Sequence, residues 1–383
     1  MKKTCQIIAI AVFLLFIGGF FVLNIVTPDR EFSPQENKYL QMLPDFSFKA
    51  LFSGKFTKDF EDYTTEQFAF RDAWITMKAR CELLSGKKEN NGSYYCGDTI
   101  LPDFDDPGQA EIDRRADFVD ALAEAVDAPV YFGLIPGATE INASLLPKNA
   151  PADSQQTVLD WAYGRARSTA GNIDLASALG AHKDEYIFYR TDHHWTSLGA
   201  YYGYTALCES MGLTPSPLSA YDRQTVSEDF CGTTWSSSGF TWVEPDTIET
   251  FVPDDGSVTV LNLEKDPPQE GSLYVTSFLD VKDKYSMFLG GNSALRSIET
   301  GHEGPRLLIV RDSYSDSLAP FLLKNFSRVD LMDLRYYRDS LYQYALDNDF
   351  DMILVLYSVS NFSTDNNLFL LTPSILTPIS EEF

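Results

Sequence analysis

Three apolar runs constrain this chain most: Val130–Ile135, Leu307–Val310 and Met352–Leu356. A strand with one face in water alternates apolar and polar residues, whereas these do not, so both of their faces must be covered. Segments of helical periodicity flank them, from Gln109 to Val126, Ser154 to Thr169, Ser317 to Phe326 and Ser340 to Asn348. Val329–Met332 and Tyr186–Tyr189 read as further short strands. Short strands alternating with helices imply an α/β fold with a parallel sheet flanked by helices on both faces. Between the two halves, from about 214 to 305, Gly, Ser, Thr, Asp and Pro dominate, and alternating pieces appear at Ser257–Leu261 and Ser272–Thr276. That stretch is expected to be a β-rich insertion lying over the sheet edge.

The amino-terminal end has a different character. Lys2 and Lys3 precede an uncharged run from Ile7 to Val26, interrupted only by small residues and Asn24. Twenty residues suffice to cross a bilayer core as a transmembrane helix. A cleaved secretory signal has a shorter apolar stretch and a small-x-small cleavage site. Thr27-Pro28-Asp29-Arg30 offers no such site, so an uncleaved single-pass anchor with its basic end cytoplasmic is expected. The chain therefore divides into a cytoplasmic tip and anchor (1–28), a stalk and lead-in (29–87) containing a helix from about Thr57 to Leu84, and an α/β domain (88–383) placed outside the cytoplasm.

The formal net charge of −25 excludes nucleic acid as a partner, because phosphate backbones and this chain repel each other. Four cysteines follow the anchor, namely Cys81, Cys96, Cys208 and Cys231. They permit two disulfides, most simply Cys81–Cys96 and Cys208–Cys231, or else free buried thiols.

Histidines are scarce, and two of the four fall in Thr191-Asp192-His193-His194-Trp195-Thr196. This tetrad follows an expected strand and precedes an amphipathic run from Ser197 to Met211, which makes Thr196 an N-cap. Asp192 and His194 stand two apart, and in an extended turn such residues project to the same side. A carboxylate there can take the Nδ1 proton of the imidazole and leave Nε2 free as a base. A structural hydrogen bond is the plainer alternative. Metal binding through Asp192, His193 and His194 is another, but no further Cys/His cluster completes a four-ligand set, and no metal is assigned. The nucleophile that such a base needs is Ser313, in Arg311-Asp312-Ser313-Tyr314 after the apolar run Leu307–Val310. A strand, a polar turn and a helix present a hydroxyl at the strand end, where helix N–H groups can hold an oxyanion. Ser315 and Ser317 compete and read as helix caps.

The tetrad, with Arg190-Thr191 before it and Gly199-Ala200-Tyr201 after, resembles the signature of the bacterial DHHW protein family, which is related to the SGNH-hydrolase-like proteins of alginate O-acetylation. Supporting likenesses are Phe32–Asn37, Ser53–Phe56, Phe68–Asp72, Leu134-Ile135-Pro136 with Leu146-Pro147, and Asp312-Ser313-Tyr314. The resemblance implies an SGNH-like fold and a triad of Asp192 as orienter, His194 as base and Ser313 as nucleophile. It also implies acyl transfer, usually of acetyl, to a sugar hydroxyl of a cell-surface or exported polysaccharide, with no cofactor and with a multispanning membrane acyltransferase as donor. An esterase has the same triad. Where SGNH enzymes carry glycine, two residues before the serine, this chain has Arg311, which either faces the oxyanion or pairs with a surface acid. The family's glycine and asparagine blocks find candidate matches only at Gly290-Gly291-Asn292 and at Asn361. His193, Trp195, Asp312 and Tyr314 are expected to support the site. A non-catalytic envelope protein that keeps the fold and binds glycan or a partner remains the alternative at this point.

Overall fold

A computed structural model describes residues 2–253 and 258–373, so Ser257 of the expected strand 257–261, and the chain after residue 373, lie outside the described residues. Two compact units result. One holds the chain through Asn91 together with Ser236–Thr241, and the other holds Gly92–Trp235 and the chain from Trp242 onward.

The first unit is helical: α1 (Lys2–Val26), α2 (Phe48–Phe52), α3 (Lys55–Glu66) and α4 (Arg71–Leu84). The single helix expected from Thr57 to Leu84 is broken between α3 and α4, for a local reason. The Gln67 side-chain amide donates to the carbonyls of Arg30 and Gln41, at 2.9 and 3.1 Å, and the Ala69 N–H donates to Asn24 Oδ1 at 2.7 Å. With the Ala69 N–H taken by a side chain, the i→i−4 ladder cannot run through, and Phe70 turns the chain at φ +61°. Arg71 then grips the Glu36 carboxylate with two hydrogen bonds of 2.8 and 2.9 Å, which fixes the start of α4.

The second unit is built on an eight-stranded sheet. Its principal helices are α5 (Gln109–Ala125), α6 (Gln155–Arg165), α7 (Leu175–Gly180), α8 (Ser197–Ser210), α9 (Tyr314–Leu322), α10 (Leu341–Asp347) and α11 (Val359–Thr364). Its principal strands are β1 (Val130–Ile135), β2 (Gly171–Ile173), β3 (Tyr221–Phe230), β4 (Asp246–Pro253), β5 (Thr259–Asn262), β6 (Gln269–Glu270), β7 (Leu295–Glu299), β8 (Arg306–Arg311), β9 (Arg328–Met332) and β10 (Met352–Ser358). The sheet order is β6-β5-β7-β9-β8-β10-β1-β2. From β9 to β2 all neighbours are parallel, while β6, β5 and β7 pair antiparallel at one edge. The β-rich insertion thus divides: β5, β6 and β7 extend the sheet in its own plane, and β3 and β4 form a separate antiparallel pair.

Successive residues of a buried strand face opposite sides, and β8 feeds two cores in this way. Leu307 and Ile309 share one core with Leu207 of α8 and with Leu318 and Phe321 of α9, while Leu308 and Val310 join Ile112, Val119 and Val158 from α5 and α6. Each such side chain contributes about 1.5–3 kcal/mol by leaving water. The apolar run that revealed β8 is therefore what fixes the position of the turn at its carboxyl end.

Candidate active site

Ser313 occupies the N-cap position of α9, directly beyond β8. Its side chain does not cap the helix; it faces the imidazole of His194 instead, with Oγ 2.8 Å from Nε2. The fully buried Asp312 side chain pins this turn to the end of β10. Its Oδ1 accepts the Tyr314 N–H at 3.1 Å, and its Oδ2 accepts the Ser358 N–H and the Asn361 amide, both at 2.8 Å. The first N–H groups of α9 are consequently spoken for, since Ser315 and Asp316 donate to the carbonyls of Asp312 and Ser313. Among the described residues no acceptor lies on the Ser313 N–H, which leaves it as the backbone donor beside the hydroxyl.

The imidazole comes from the loop between α7 and α8. The expected strand Tyr186–Tyr189 is not part of the sheet. It makes one antiparallel bridge, Phe188 to Trp195, which closes a tight loop around the tetrad. Thr196 caps α8, its Oγ1 accepting the Gly199 N–H at 3.3 Å. Asp192 Oδ1 accepts from both the His194 N–H, at 3.0 Å, and His194 Nδ1, at 2.6 Å. With a carboxylate against Nδ1 the ring proton sits there, and Nε2 is the acceptor for the serine hydroxyl. Burial alone would raise the Asp192 carboxyl, but the two neighbouring imidazoles and the Thr233 N–H outweigh it and hold the group well below the usual carboxylate range. Asp192 is thereby kept ionised to steady a charge on His194.

Several residues that build this loop gave no signal in the sequence. Thr233 donates both its N–H and its hydroxyl to Asp192 Oδ2, at 2.7 and 2.9 Å, and its Oγ1 also lies 2.7 Å from His193 Nδ1. Gly232 is required there by space, because a Cβ would fall 2.3 Å from Asp192 Oδ2. The Asp246 carboxylate accepts the N–H groups of Arg190 and Thr191, at 2.9 and 2.8 Å, and anchors the start of the loop to β4. Tyr285 stacks flat on His194, with centroids 3.8 Å apart and planes at 10°, and its hydroxyl reaches the Ser313 carbonyl at 3.1 Å. All four come from the region read only as a β-rich insertion, and none of them lies in its alternating pieces.

The remaining expected site residues divide. Trp195 is fully buried and donates through Nε1 to the Tyr314 carbonyl and to Ser317 Oγ, each at 3.0 Å, so it ties the base loop to α9. Gly203 makes room for its ring, since a Cβ there would sit 2.7 Å from the indole. The Tyr314 hydroxyl donates to the His193 carbonyl. Ser315 and Ser317 lie buried inside α9 and cap nothing. Arg311 departs from both expectations. It is fully buried, so it neither faces a substrate oxyanion nor meets a surface acid. Its Nη2 lies 3.0 Å from Oδ1 of the buried Asp316, off the line of a hydrogen bond, so the attraction is between charges. Burial pushes the Asp316 carboxyl up to about 6, against the pull of Arg311 and Arg296. Asn361 gives its amide to Asp312, and Asn292 is on the turn before β7 and is not a hydrogen-bond partner of Ser313, His194 or Asp192. Ligand atoms of Asp192, His193 and His194 lie within 4.8 Å of one another, and the hydrogen bonds above already occupy Asp192 and both nitrogens of His194. All five cysteines are free thiols.

The family profile described as DHHW protein matches residues 92–332, more than half of the chain. Among solved structures, a DHHW family protein from Eubacterium siraeum is similar at 26% identity with a TM-score of 0.65, over 74% of this chain and 95% of that one. Bacillus cereus PatB1 carrying a sulfonyl adduct aligns at 20% identity with a TM-score of 0.61, over 72% of this chain and 96% of its own, a likeness of fold. PatB1 in a second structure gives 19% identity, a TM-score of 0.60, and coverage of 72% and 98%. No curated protein matches the chain.

Proposed function

This chain belongs to the DHHW protein family, and from that premise we propose that it is a membrane-anchored serine acyltransferase, for acetyl above all, that modifies a sugar hydroxyl of a cell-surface or exported polysaccharide. The observation that carries this reading is the unbroken line from Asp192 through His194 to Ser313, with contacts of 2.6 and 2.8 Å. Ser313 is half-buried, unlike Asp312 and Tyr314 on either side of it, which are buried. In the first step Ser313 Oγ bonds to the acyl carbonyl carbon and passes its proton to His194 Nε2. The donor's oxygen then leaves with that proton, and an acyl-serine ester remains. In the second step an acceptor hydroxyl attacks the ester while His194 takes its proton, and the proton returns to Ser313 as the new ester departs. Water in place of the sugar would make the protein an esterase. A multispanning membrane acyltransferase is the proposed acyl donor.

Retention of α1 as the anchor has its own support. The helix from Lys3 to Val26 is long and apolar enough to cross a membrane. Its last turns are also stitched into the first unit, since Asn24 accepts the Ala69 N–H and Phe20 stacks on Phe68 at 5.5 Å with planes 5° apart. Removing α1 as a signal peptide would orphan that N–H and strip the covering ring of Phe20 from Phe68 and Trp74. Lys2 and Lys3 would keep the N-terminus cytoplasmic and the α/β domain outside.

Mass spectrometry of the purified chain after incubation with an activated acetyl ester tests the chemistry. One acetyl group should appear on Ser313, and Ser313→Ala should lose it together with turnover, by a factor of about 10⁶ where nucleophile and base act as a unit. Undiminished acetylation of Ser313 in an Asp192→Ala, His194→Ala double variant would sink the triad. A sulfonyl fluoride should likewise block Ser313.

A further inference from the structure

The first unit exposes a set of large aromatic side chains. Phe52 is 85% and Phe70 64% exposed, and Phe46, Phe48 and Phe60 are exposed as well. These rings are not scattered. Phe46 meets Phe48 at 5.5 Å and Phe56 at 5.2 Å, and Phe56 meets Phe60 at 5.9 Å. Phe60 in turn shares a groove of about 660 Å³ with Phe21, Asn24 and Ile25 of α1. An apolar strip thus runs from the last turns of α1 along α3 to α2, and contiguous patches of this kind mark contact surfaces.

The position of α1 says what covers it. Phe20 lies 17 residues beyond Lys3 (20 − 3), or roughly 26 Å along the helix, within a hydrocarbon core of about 30 Å when the lysines sit among the inner headgroups. Phe68 and Trp74, whose rings lie 5.5 and 5.6 Å from that of Phe20, are then at the outer edge of the core. Phe60, beside Ile25, falls roughly five residues or about 8 Å farther out, at headgroup level. Aromatic rings favour that depth. Phe70 adds an independent sign: a bulky residue at φ +61° is strained, and here the strain presents an exposed ring beside Phe68.

We propose that the aromatic face of α2, α3 and the Phe68–Phe70 turn is a membrane-seating surface, in which Phe46, Phe48, Phe52 and Phe70 enter the outer interface of the bilayer that α1 crosses. This rests on the anchor reading above. It makes the first unit a collar on the lipid surface instead of a stalk standing clear of it.

The test uses the full chain, with Cys5, Cys81, Cys96, Cys208 and Cys231 changed to serine, reconstituted in phosphatidylethanolamine–phosphatidylglycerol vesicles. Single nitroxide labels replace Phe52, Phe70, Asp59 or Ile10 through cysteine, and collision with oxygen and with a water-soluble nickel chelate gives their depth. Labels at 52 and 70 are expected to show an oxygen-to-nickel ratio severalfold above that at 59. Aqueous ratios at 52 and 70 with a lipidic ratio at 10 would overturn the collar and leave the anchor standing. An aqueous ratio at 10 would overturn both. Dipolar broadening between chains at 52 or 70, without a change in ratio, would assign the face to a second copy and reject the lipid.

Discussion

The two halves of the candidate active site are held in different ways. Ser313 sits on a turn whose place is set by β8 in the middle of a parallel sheet, and beneath it the charges of Arg311 and Asp316 are locked in the core. The imidazole, by contrast, sits on a loop outside the sheet, kept in place by hydrogen bonds from Thr233 and to Asp246 and by the ring of Tyr285. The Ser313 half is positioned mainly by packing, with Asp312 pinning its turn, and the His194 half mainly by polar contacts from an inserted segment. Damage to the first should therefore register as lost stability, and damage to the second as lost activity in a protein that still folds.

The sharpest way to break this contrast is Asp192→Asn. It preserves size but upsets the His194 tautomer, and turnover should fall by about 10⁴. Thermal unfolding alongside a kinetic assay would check it, and a collapse of the fold with the activity would erase the distinction drawn above. On the other half, Arg311→Met leaves Asp316 buried without its partner. A loss of about 3–5 kcal/mol is expected from denaturant unfolding, as for other broken buried pairs. Much of that loss should return in the Arg311→Met, Asp316→Asn double variant. Gly232→Ala forces a Cβ against Asp192, and a displacement of the order of 1 Å should cost roughly a hundredfold in turnover. Comparing its acetylation rate with its unfolding curve would show the base half failing alone. The smallest effect is a pH slope. Asp316 has a folded pKa of about 6, above its ordinary 3.8, so the folded state binds this proton more tightly than the unfolded chain. Its contribution favours folding below about pH 4 and is lost as pH rises through about 6. The Tm difference between the native chain and Asp316→Asn should change across that window, and a constant difference would remove Asp316 from the account.

Much of the architecture could be read from residues adjacent in the chain. The unbroken apolar runs located β1, β8 and β10 because a strand covered on both faces turns apolar side chains to two cores. Thr196 announced the start of α8, and the Asp-x-His spacing announced its own hydrogen bond, since both partners lie on one short turn. Reading failed where a distant group intervened. The helix expected through Gln67 and Ala69 broke on the Asn24 side chain, 45 positions away from Ala69. The Tyr186–Tyr189 strand never joined the sheet, because Phe188 pairs with Trp195 in the same loop. Arg311 looked like a surface or oxyanion residue until its acid partner turned out to lie inside α9.

Local order thus decided by itself that the chain would form a covered parallel sheet, carry an apolar helix in front of it, and hold an aspartate against a histidine. That this histidine faces Ser313, 119 residues farther on, is an expectation the strand–turn–helix pattern and the family resemblance already raise; the tertiary structure alone decided that Thr233, Asp246 and Tyr285 hold it there. The reason is physical. Periodicity and capping act between neighbours and leave a pattern in the residues, whereas a contact across the fold needs only one suitable side chain at each end and leaves none.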